Sequence, residues 1–172
     1  MMTDGLDIRD ARAAEGEAIR ALTLAAYEQY AAVLGALWPL YRANIVDALS
    51  RVPPAEQIVA DRGGVLVGSV LLYPAGAPMP GTDRRTSGPE VRLLAVPPTA
   101  RGQGIAEALM RECVRRARGT GATALLLHTT DMMRTAMRLY ERLRFTRDPA
   151  LDFRPAPAVL VKGFRLELGV AA

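Results

Sequence analysis

The chain has 172 residues, half of them apolar and 23% charged, and its 22 Lys and Arg against 18 Asp and Glu give a net charge of +4. A charged N-terminal stretch, the lack of a long apolar run and the scattering of the arginines predict one soluble, cytoplasmic domain over residues 1–172, with no membrane or nucleic-acid partner. One cysteine, Cys113, and one histidine, His128, are too few for an internal disulfide or a zinc site, so we expect no metal.

The first half of the chain predicts a strand, two helices and a hairpin. "LDIRDA" alternates like a short strand, and residues 13–34 carry apolar side chains at helical spacing. A second helix is predicted from Leu37 to Leu49, ended by the prolines of "VPP". Two strand-like runs then flank Arg62-Gly63-Gly64, which is typical of a hairpin turn. Residues 74–89 are rich in Pro and Gly without any period, which predicts a mobile surface loop.

The second half alternates between strand and helix. The strands are "EVRLLAV", "ATALLLHTT" and a final "AVLVKGFRLEL", and the helices are "GIAEALMRECVRRARG" and "MMRTAMRLYERL". A strand-helix-strand unit is right-handed by default, so two of these strands should be parallel and covered by helices. The sequence therefore predicts an α/β fold.

The turn before the first of these helices has the composition of an anion site. It reads Arg101-Gly102-Gln103-Gly104-Ile105-Ala106. A helix start offers unpaired N–H groups and a partial positive charge, and glycines let an anion approach the backbone. The Walker motif is absent, and a dinucleotide fingerprint meets Glu107 where a small residue belongs. An ordinary strand-to-helix turn is the alternative.

A second motif follows in the next helix, where Ala136, Tyr140, Arg144 and Phe145 lie in "AMRLYERLRF". With the glycine turn, this pattern resembles the GNAT superfamily of acetyl-CoA-dependent N-acetyltransferases. Arg144 replaces the family's usual glycine, and Met133 stands where the family often has Asn. The resemblance covers most of the chain, and residues 90–145 are its motif-specific core.

The resemblance implies a single-domain fold with a mixed, mostly antiparallel sheet of about six to seven strands, a splayed parallel pair and about four flanking helices. It implies transfer of acetyl from acetyl-CoA to a primary amine of a small molecule, peptide or protein, directly in a ternary complex. A homodimer is also expected. A non-catalytic acyl-CoA-binding module of the same fold is the alternative function.

The resemblance also assigns site residues. The implied cofactor-binding positions are Leu94, Ala95 and Val96 for the pantetheine and thioester, Arg101, Gly102, Gln103, Gly104, Ile105 and Ala106 for the phosphates, and Met133. Tyr140 matches the general acid, and Glu90 matches a general base whose pKa burial would raise. A packed tyrosine and an exposed glutamate at the start of a strand are the alternatives.

The acceptor side is the least specified. Tyr27, Tyr30, Trp38 and Tyr41 could line a pocket for an apolar or aromatic amine, but their spacing equally suits helix packing. His128 could act as a base or contact the acceptor, or it could be structural. No acidic cluster in this region indicates a polyamine.

Overall fold

The structure is a computed structural model that describes residues 5–80 and 82–169. The strands of these residues are β1 Leu6–Asp10, β2 Glu56–Arg62, β3 Val65–Tyr73, β4 Glu90–Ala95, β5 Ala124–Thr129, β6 Thr146–Arg147, β7 Phe153–Ala156 and β8 Val159–Glu167. Their α-helices are α1 Gly16–Tyr27, α2 Ala31–Leu34, α3 Trp38–Ser50, α4 Ile105–Gly119 and α5 Arg134–Arg142. Within the described residues, no helix is long and apolar enough to cross a membrane.

The chain divides into two compact units. The first unit comprises Met1–Leu72 and Leu93–Glu112, and the second comprises Tyr73–Arg92 and Cys113–Ala172. Residues of β4 and of α4 therefore occur in both units. That residues 1–172 form one domain stays a prediction.

The first unit contains the antiparallel strands β1, β2 and β3, in which β1 and β3 both pair with β2. The predicted hairpin is confirmed, because Gly63 and Gly64 have φ of 61° and 89° between β2 and β3. In β3, a Cβ added to Gly68 would lie 2.8 Å from Cγ2 of Ile105 and 3.0 Å from Cδ1 of Leu109. A glycine is thus needed where the start of α4 packs closely on β3.

The second unit contains the parallel pair that the alternation of strands and helices predicts. In this pair β4 and β5 align Glu90 with Leu126 and Val91 with Leu127. The other partners of the unit are antiparallel, since β8 pairs with β5, β6 and β7. The prediction of a mixed, mostly antiparallel sheet is confirmed. The described strands number eight rather than six or seven, because β6 and β7 have two and four residues and are too short to show a period.

The predicted helix over residues 13–34 is wrong in detail. It is divided into α1 and α2 by a 3-10 turn at Glu28–Tyr30, and another 3-10 turn at Ala13–Glu15 precedes α1. A 3-10 turn aligns residues three apart, and the rings of Tyr27 and Tyr30 meet edge to face at 5.8 Å between centroids. Apolar residues keep their helical spacing across this turn, so the sequence pattern gives no sign that the helix is interrupted there.

The predicted loop at residues 74–89, which the structure describes except for residue 81, folds back on itself and is partly buried. Its backbone closes on itself through hydrogen bonds from Gly76 N to Thr86 O at 2.8 Å and from Met79 N to Arg84 O at 2.9 Å. Ala77, Met79 and Thr86 are buried. The Arg84 guanidinium also donates to the carbonyl oxygens of Ala150 and Asp152. The loop is therefore partly buried rather than wholly exposed, because its contacts join residues that are distant in the sequence, and its mobility stays a prediction.

Candidate functional site

The end of β4 has an unusual backbone in the first unit. Leu93 has φ of 51°, a left-handed conformation that non-glycine residues seldom adopt within a strand. The strand is redirected there, just before the predicted thioester-binding residues Leu94, Ala95 and Val96. Tyr27 on α1 donates a hydrogen bond from its hydroxyl to the Leu94 carbonyl oxygen at 3.3 Å. Ala95 is buried.

The glycine turn between β4 and α4 is open to a ligand. Gly102 and Gly104 have φ of 72° and 76°, and no atom lies within 4 Å of a Cβ added to either residue. Gly104 immediately precedes α4, and its carbonyl accepts the helical hydrogen bond of Ala108 N at 3.0 Å. The N-terminal N–H groups of a 15-residue helix therefore lie next to two exposed glycines. This backbone fits a phosphate group.

The side chains of the glycine turn differ in what they contact. Ile105 is buried against Gly68, so its side chain belongs to the core. Gln103 accepts a hydrogen bond on its side-chain oxygen from the guanidinium of Arg62 at the end of β2. Arg62 was not selected from the sequence, because only the folded hairpin brings it to the turn.

The charge of Arg101 is directed at backbone carbonyls. Its guanidinium donates to Ala26 O at 3.0 Å and to Val96 O at 3.3 Å. It thus ties the end of α1 to the residue that follows β4. Its charge lowers the pKa of the Tyr30 hydroxyl, although burial, the larger effect, raises that pKa. A phosphate role for the Arg101 side chain stays a prediction.

The predicted acceptor-side aromatics form a cluster in the first unit. Ring centroids are 5.8 Å apart for Tyr27 and Tyr30, 6.2 Å for Tyr27 and Tyr41, and 6.2 Å for the stacked Trp38 and Tyr41. Tyr27 is buried, while Tyr30, Trp38 and Tyr41 are half-buried. We call these four side chains the aromatic cluster. Through Tyr27, the cluster reaches the Leu94 carbonyl.

In the second unit, Glu90 is buried in a charged cluster. Its carboxylate hydrogen-bonds to His128 Nδ1 at 2.6 Å and accepts from Arg92 at 3.0 Å. Burial by itself would raise the pKa of Glu90, but the His128 hydrogen bond and the Arg92 charge outweigh it, so the pKa is lowered. The expectation that burial raises the pKa of this group was therefore wrong. Arg92 lies two residues after Glu90 on β4, a strand period that could have indicated the pair.

His128 is held on both sides of its ring. Nδ1 faces the Glu90 carboxylate, and Nε2 lies 2.9 Å from the carbonyl oxygen of Leu151. Both partners have oxygen atoms that accept hydrogen bonds, so the ring is fixed between β4 and the turn at Leu151. Phe153 packs against the ring edge at 5.2 Å between centroids. These contacts favour the structural interpretation of His128, and its acceptor contact stays a prediction.

Tyr140 lies near the end of α5 and is buried. Phe145 N donates to Tyr140 O and Arg144 N donates to Glu141 O, both at 2.9 Å, which is the Schellman arrangement that closes a helix. Arg144 has φ of 70°, so it adopts the left-handed conformation for which glycine is favoured. The ring of Phe145 packs on that of Tyr140 at 5.9 Å and helps fix its position.

Met133 precedes α5 and makes only backbone bonds there. Its N–H donates to Thr130 O and its carbonyl accepts from Met137 N, both at 3.0 Å. No side-chain hydrogen bond caps the helix at this position. A thioether cannot supply the cap that an Asn would. A cofactor contact by Met133 stays a prediction.

Comparison with known proteins identifies the family. The sequence model described as "Acetyltransferase (GNAT) family" matches residues 18–145. The chain belongs to this family. An IAA acetyltransferase of Azospirillum brasilense is 31% identical over 129 residues, which are 74% of this chain and 79% of that protein.

Two further relatives show how much of the chain is similar to known proteins. N-acetyltransferase family 8 member 2 of Rattus norvegicus is 37% identical over 87 residues, or 51% of this chain, and the match spans only 37% of that longer protein. A GNAT family acetyltransferase from Brucella melitensis, solved in complex with acetyl-CoA, has a TM-score of 0.59 at 24% identity, over 95% of this chain and 88% of that one. The fold expected of a GNAT chain is confirmed.

Within this GNAT chain, the predicted site residues are distributed over both units. The first unit holds the end of β4, the glycine turn and the aromatic cluster. The second holds Glu90, His128, Met133 and Tyr140. In the described residues, no group of three or more His, Cys, Asp or Glu side chains is placed to hold a metal ion.

Proposed function

We propose that the chain is an N-acetyltransferase that uses acetyl-CoA to acetylate a primary amine by direct transfer in a ternary complex. The observation that carries this proposal is the open turn with Gly102 and Gly104 at the start of α4, directly after the redirected end of β4. Family membership and a relative solved with acetyl-CoA support the choice of donor.

The residues of the first unit suit the parts of this donor. The N–H groups at the start of α4 bind the pyrophosphate, because they are unpaired and lie at the positive end of the helix dipole. Main-chain groups of Leu94 to Val96 bind the pantetheine amides, as an added strand would. When bound, acetyl-CoA supplies an acetyl thioester as the electrophile. Fixed backbone dipoles beside its carbonyl stabilise the negative charge that develops there.

Two side chains of the second unit transfer the protons of the reaction. The attacking amine forms the N–C bond of the product amide while the C–S bond breaks, and the amine loses one proton as the thiolate gains one. Tyr140 holds the proton for the thiolate on its hydroxyl. Glu90 is ionised at neutral pH and can accept the amine's proton, directly or through water. The lowered pKa makes it a weak base that depends on the amine being largely neutral.

Cys113 supports direct transfer over an acyl-cysteine intermediate. Its side chain is fully buried in α4, with no exposed surface from which to attack a thioester.

Replacing Tyr140 with Phe tests the mechanism. We expect turnover, measured as CoA thiol release, to fall about tenfold or more, because the thiolate loses its proton donor. The dissociation constant of acetyl-CoA should change little, because Phe keeps the ring that packs on Phe145, and the thermal midpoint records any loss of stability separately. An unchanged rate would remove the acid role. Stable acetyl-CoA binding with no CoA release from any amine would instead favour the non-catalytic module.

A further inference from the structure

The surroundings of the Leu94 carbonyl in the first unit indicate what class of amine the enzyme takes. The Tyr27 hydroxyl lies 3.3 Å from that carbonyl oxygen, and the Tyr27 ring contacts those of Tyr30 and Tyr41. We infer that the acceptor is an apolar primary amine carrying an aromatic ring, rather than a polyamine or a lysine-rich peptide. This inference rests on the proposed function and specifies its acceptor.

The charge of this region argues against a polycationic acceptor. The 13 residues from Gln29 to Tyr41 include no charged side chain. Burial raises the pKa of the Tyr30 hydroxyl, and the positive charge of Arg101 acts on the same hydroxyl in the opposite direction. Glu28, an exposed acid, lies just outside the stretch. A polyamine would meet a fixed positive charge and no group of carboxylates, so its second and third ammonium groups would gain little.

The same stretch offers apolar surface and two polar anchors. Val33, Leu37 and Leu40 are 72%, 50% and 63% exposed, although large apolar side chains on adjacent turns are usually covered. The Tyr30 and Tyr41 hydroxyls hydrogen-bond to no other residue within 5–80 and 82–169, and burial raises the pKa of both. They therefore stay neutral at physiological pH and can donate to, or accept from, a polar group of a ligand.

An aromatic amine fits both features and the chemistry. Its ring can stack on Trp38 and Tyr41, which already lie 6.2 Å apart with their planes 29° from parallel. An apolar environment disfavours an ammonium ion, so it lowers the pKa of the bound amine and increases the neutral, nucleophilic form. The larger fraction of neutral amine compensates for the weak basicity of Glu90.

Kinetics with a matched amine panel test the inference. The probes are 2-phenylethylamine, tryptamine, butylamine, spermidine and a lysine-rich peptide, each with acetyl-CoA and CoA release as the readout. We expect kcat/KM for the two arylalkylamines to exceed that for spermidine and for the peptide about tenfold or more, because a ring that packs on the aromatic cluster gains binding energy that a chain of ammonium groups does not gain here.

Trp38→Ala should raise KM for 2-phenylethylamine about fivefold or more and leave KM for acetyl-CoA unchanged. Arg42→Ala, an exposed change on the same helix α3, is the matched control and should alter neither value.

Binding of the amine to the wild-type protein can be measured without turnover and without the Trp38→Ala variant, whose folding could differ. Trp38 is the only tryptophan of the chain, so the intrinsic tryptophan fluorescence of the wild-type protein reports on the cluster alone. We expect 2-phenylethylamine to change this fluorescence with saturation, and spermidine to leave it unchanged.

The possible outcomes separate the two proposals. Release of CoA with spermidine or the peptide as the best acceptor overturns the inference and leaves the proposed function intact. No CoA release from any amine overturns the proposed function, and fluorescence that then fails to respond to arylalkylamines overturns the inference as well. A dimer in light scattering that Leu40→Asp breaks, with KM for 2-phenylethylamine unchanged, would assign the exposed apolar surface to a second copy of the chain and also overturn it.

Discussion

At Arg144 the backbone has φ of 70°, a conformation that costs an L-residue roughly 1–2 kcal/mol relative to the right-handed region. The residue occupies the position after the helix cap of α5, where two hydrogen bonds close the helix beside Tyr140. Phe145 and Tyr140 pack across this closure. The tertiary contacts and the cap together hold Arg144 where the family sequence pattern has glycine.

Arg144→Gly should therefore stabilise the protein. Relief of the left-handed conformation is partly offset by the greater freedom of glycine in the unfolded chain, about 0.5–1 kcal/mol, which leaves a gain of about 0.5–1 kcal/mol. Chemical denaturation measures the free energy of unfolding. Arg142→Gly is the matched control, because Arg142 is helical and exposed, and there glycine should destabilise by about 0.5–1 kcal/mol. Equal effects at the two positions would contradict this account of the cap.

The state of Glu90 leads to a prediction about the pH dependence of catalysis. Its pKa lies below the ordinary value of 4.5, so the carboxylate is already ionised at and above about pH 5 and produces no limb in the rate profile there. A rise in kcat/KM between about pH 6 and 9 should then come from deprotonation of the acceptor amine. Exchanging the acceptor for one of lower pKa should move this limb by the difference between the two amines. A limb that stays in place would assign it to an enzyme group instead.

Among the elements, the turn between β4 and α4 carries the donor-binding prediction. Gly104 and Gly121 have φ of 76° and 78°, and an added Cβ at either would meet no atom within 4 Å. Their replacement by Ala should thus impose the same backbone penalty. Only Gly104 lies at the start of α4, where the proposed pyrophosphate site needs both the left-handed backbone and the open space.

Gly104→Ala should raise the dissociation constant of acetyl-CoA about tenfold, which corresponds to about 1.4 kcal/mol. Gly121→Ala should lose similar stability and keep wild-type affinity, so thermal unfolding and calorimetric titration of the two variants separate folding from binding. Comparable affinities in the two variants would remove the phosphate site from this turn.

The element predictions also show where local patterns stop being informative. The hairpin of β2 and β3 was predicted, because the glycines that allow the turn are local in the sequence. The 3-10 turn at Glu28–Tyr30 was missed, because apolar spacing continues across it while the contact of Tyr27 with Tyr41 does not appear in any short window. The strands β6 and β7 exist only through their pairing with β8.

For the molecule as a whole, half-buried carboxylates paired with arginine set the acid limit of stability. In the first unit, Arg9 binds Glu15 at 2.6 Å and Asp61 at 2.7 Å. The hydrogen bonds from Arg9 lower the pKa of Glu15 to about 2 and also lower that of Asp61 from 3.8. Groups with lowered pKa values stabilise the fold above their unfolded values, and this contribution is lost as pH falls through the folded ones.

The thermal midpoint should consequently be nearly constant from pH 7 to about 5 and fall as pH decreases from about 4.5 to 2. Arg9→Met should lower the midpoint at pH 7 and make much less difference at about pH 2, where Glu15 and Asp61 are becoming protonated even in the wild type. Calorimetry over this range measures both curves. A difference between variant and wild type that does not depend on pH would show that Arg9 acts by packing instead of by charge.

The sequence by itself determined the alternation of elements and the family, and it predicted the donor end of the site. Each depends on residues close together in the chain: an anion site needs only a strand end, two glycines and a helix start. The tertiary structure decided the rest. His128 meets Glu90 across 38 positions, and Tyr27 reaches Leu94 across 67. The first contact reverses the expected pKa shift of Glu90, and the second brings an uncharged aromatic cluster to the end of β4. The protonation state of a buried group depends on which distant groups share its low-dielectric environment, and chain folding alone sets those distances.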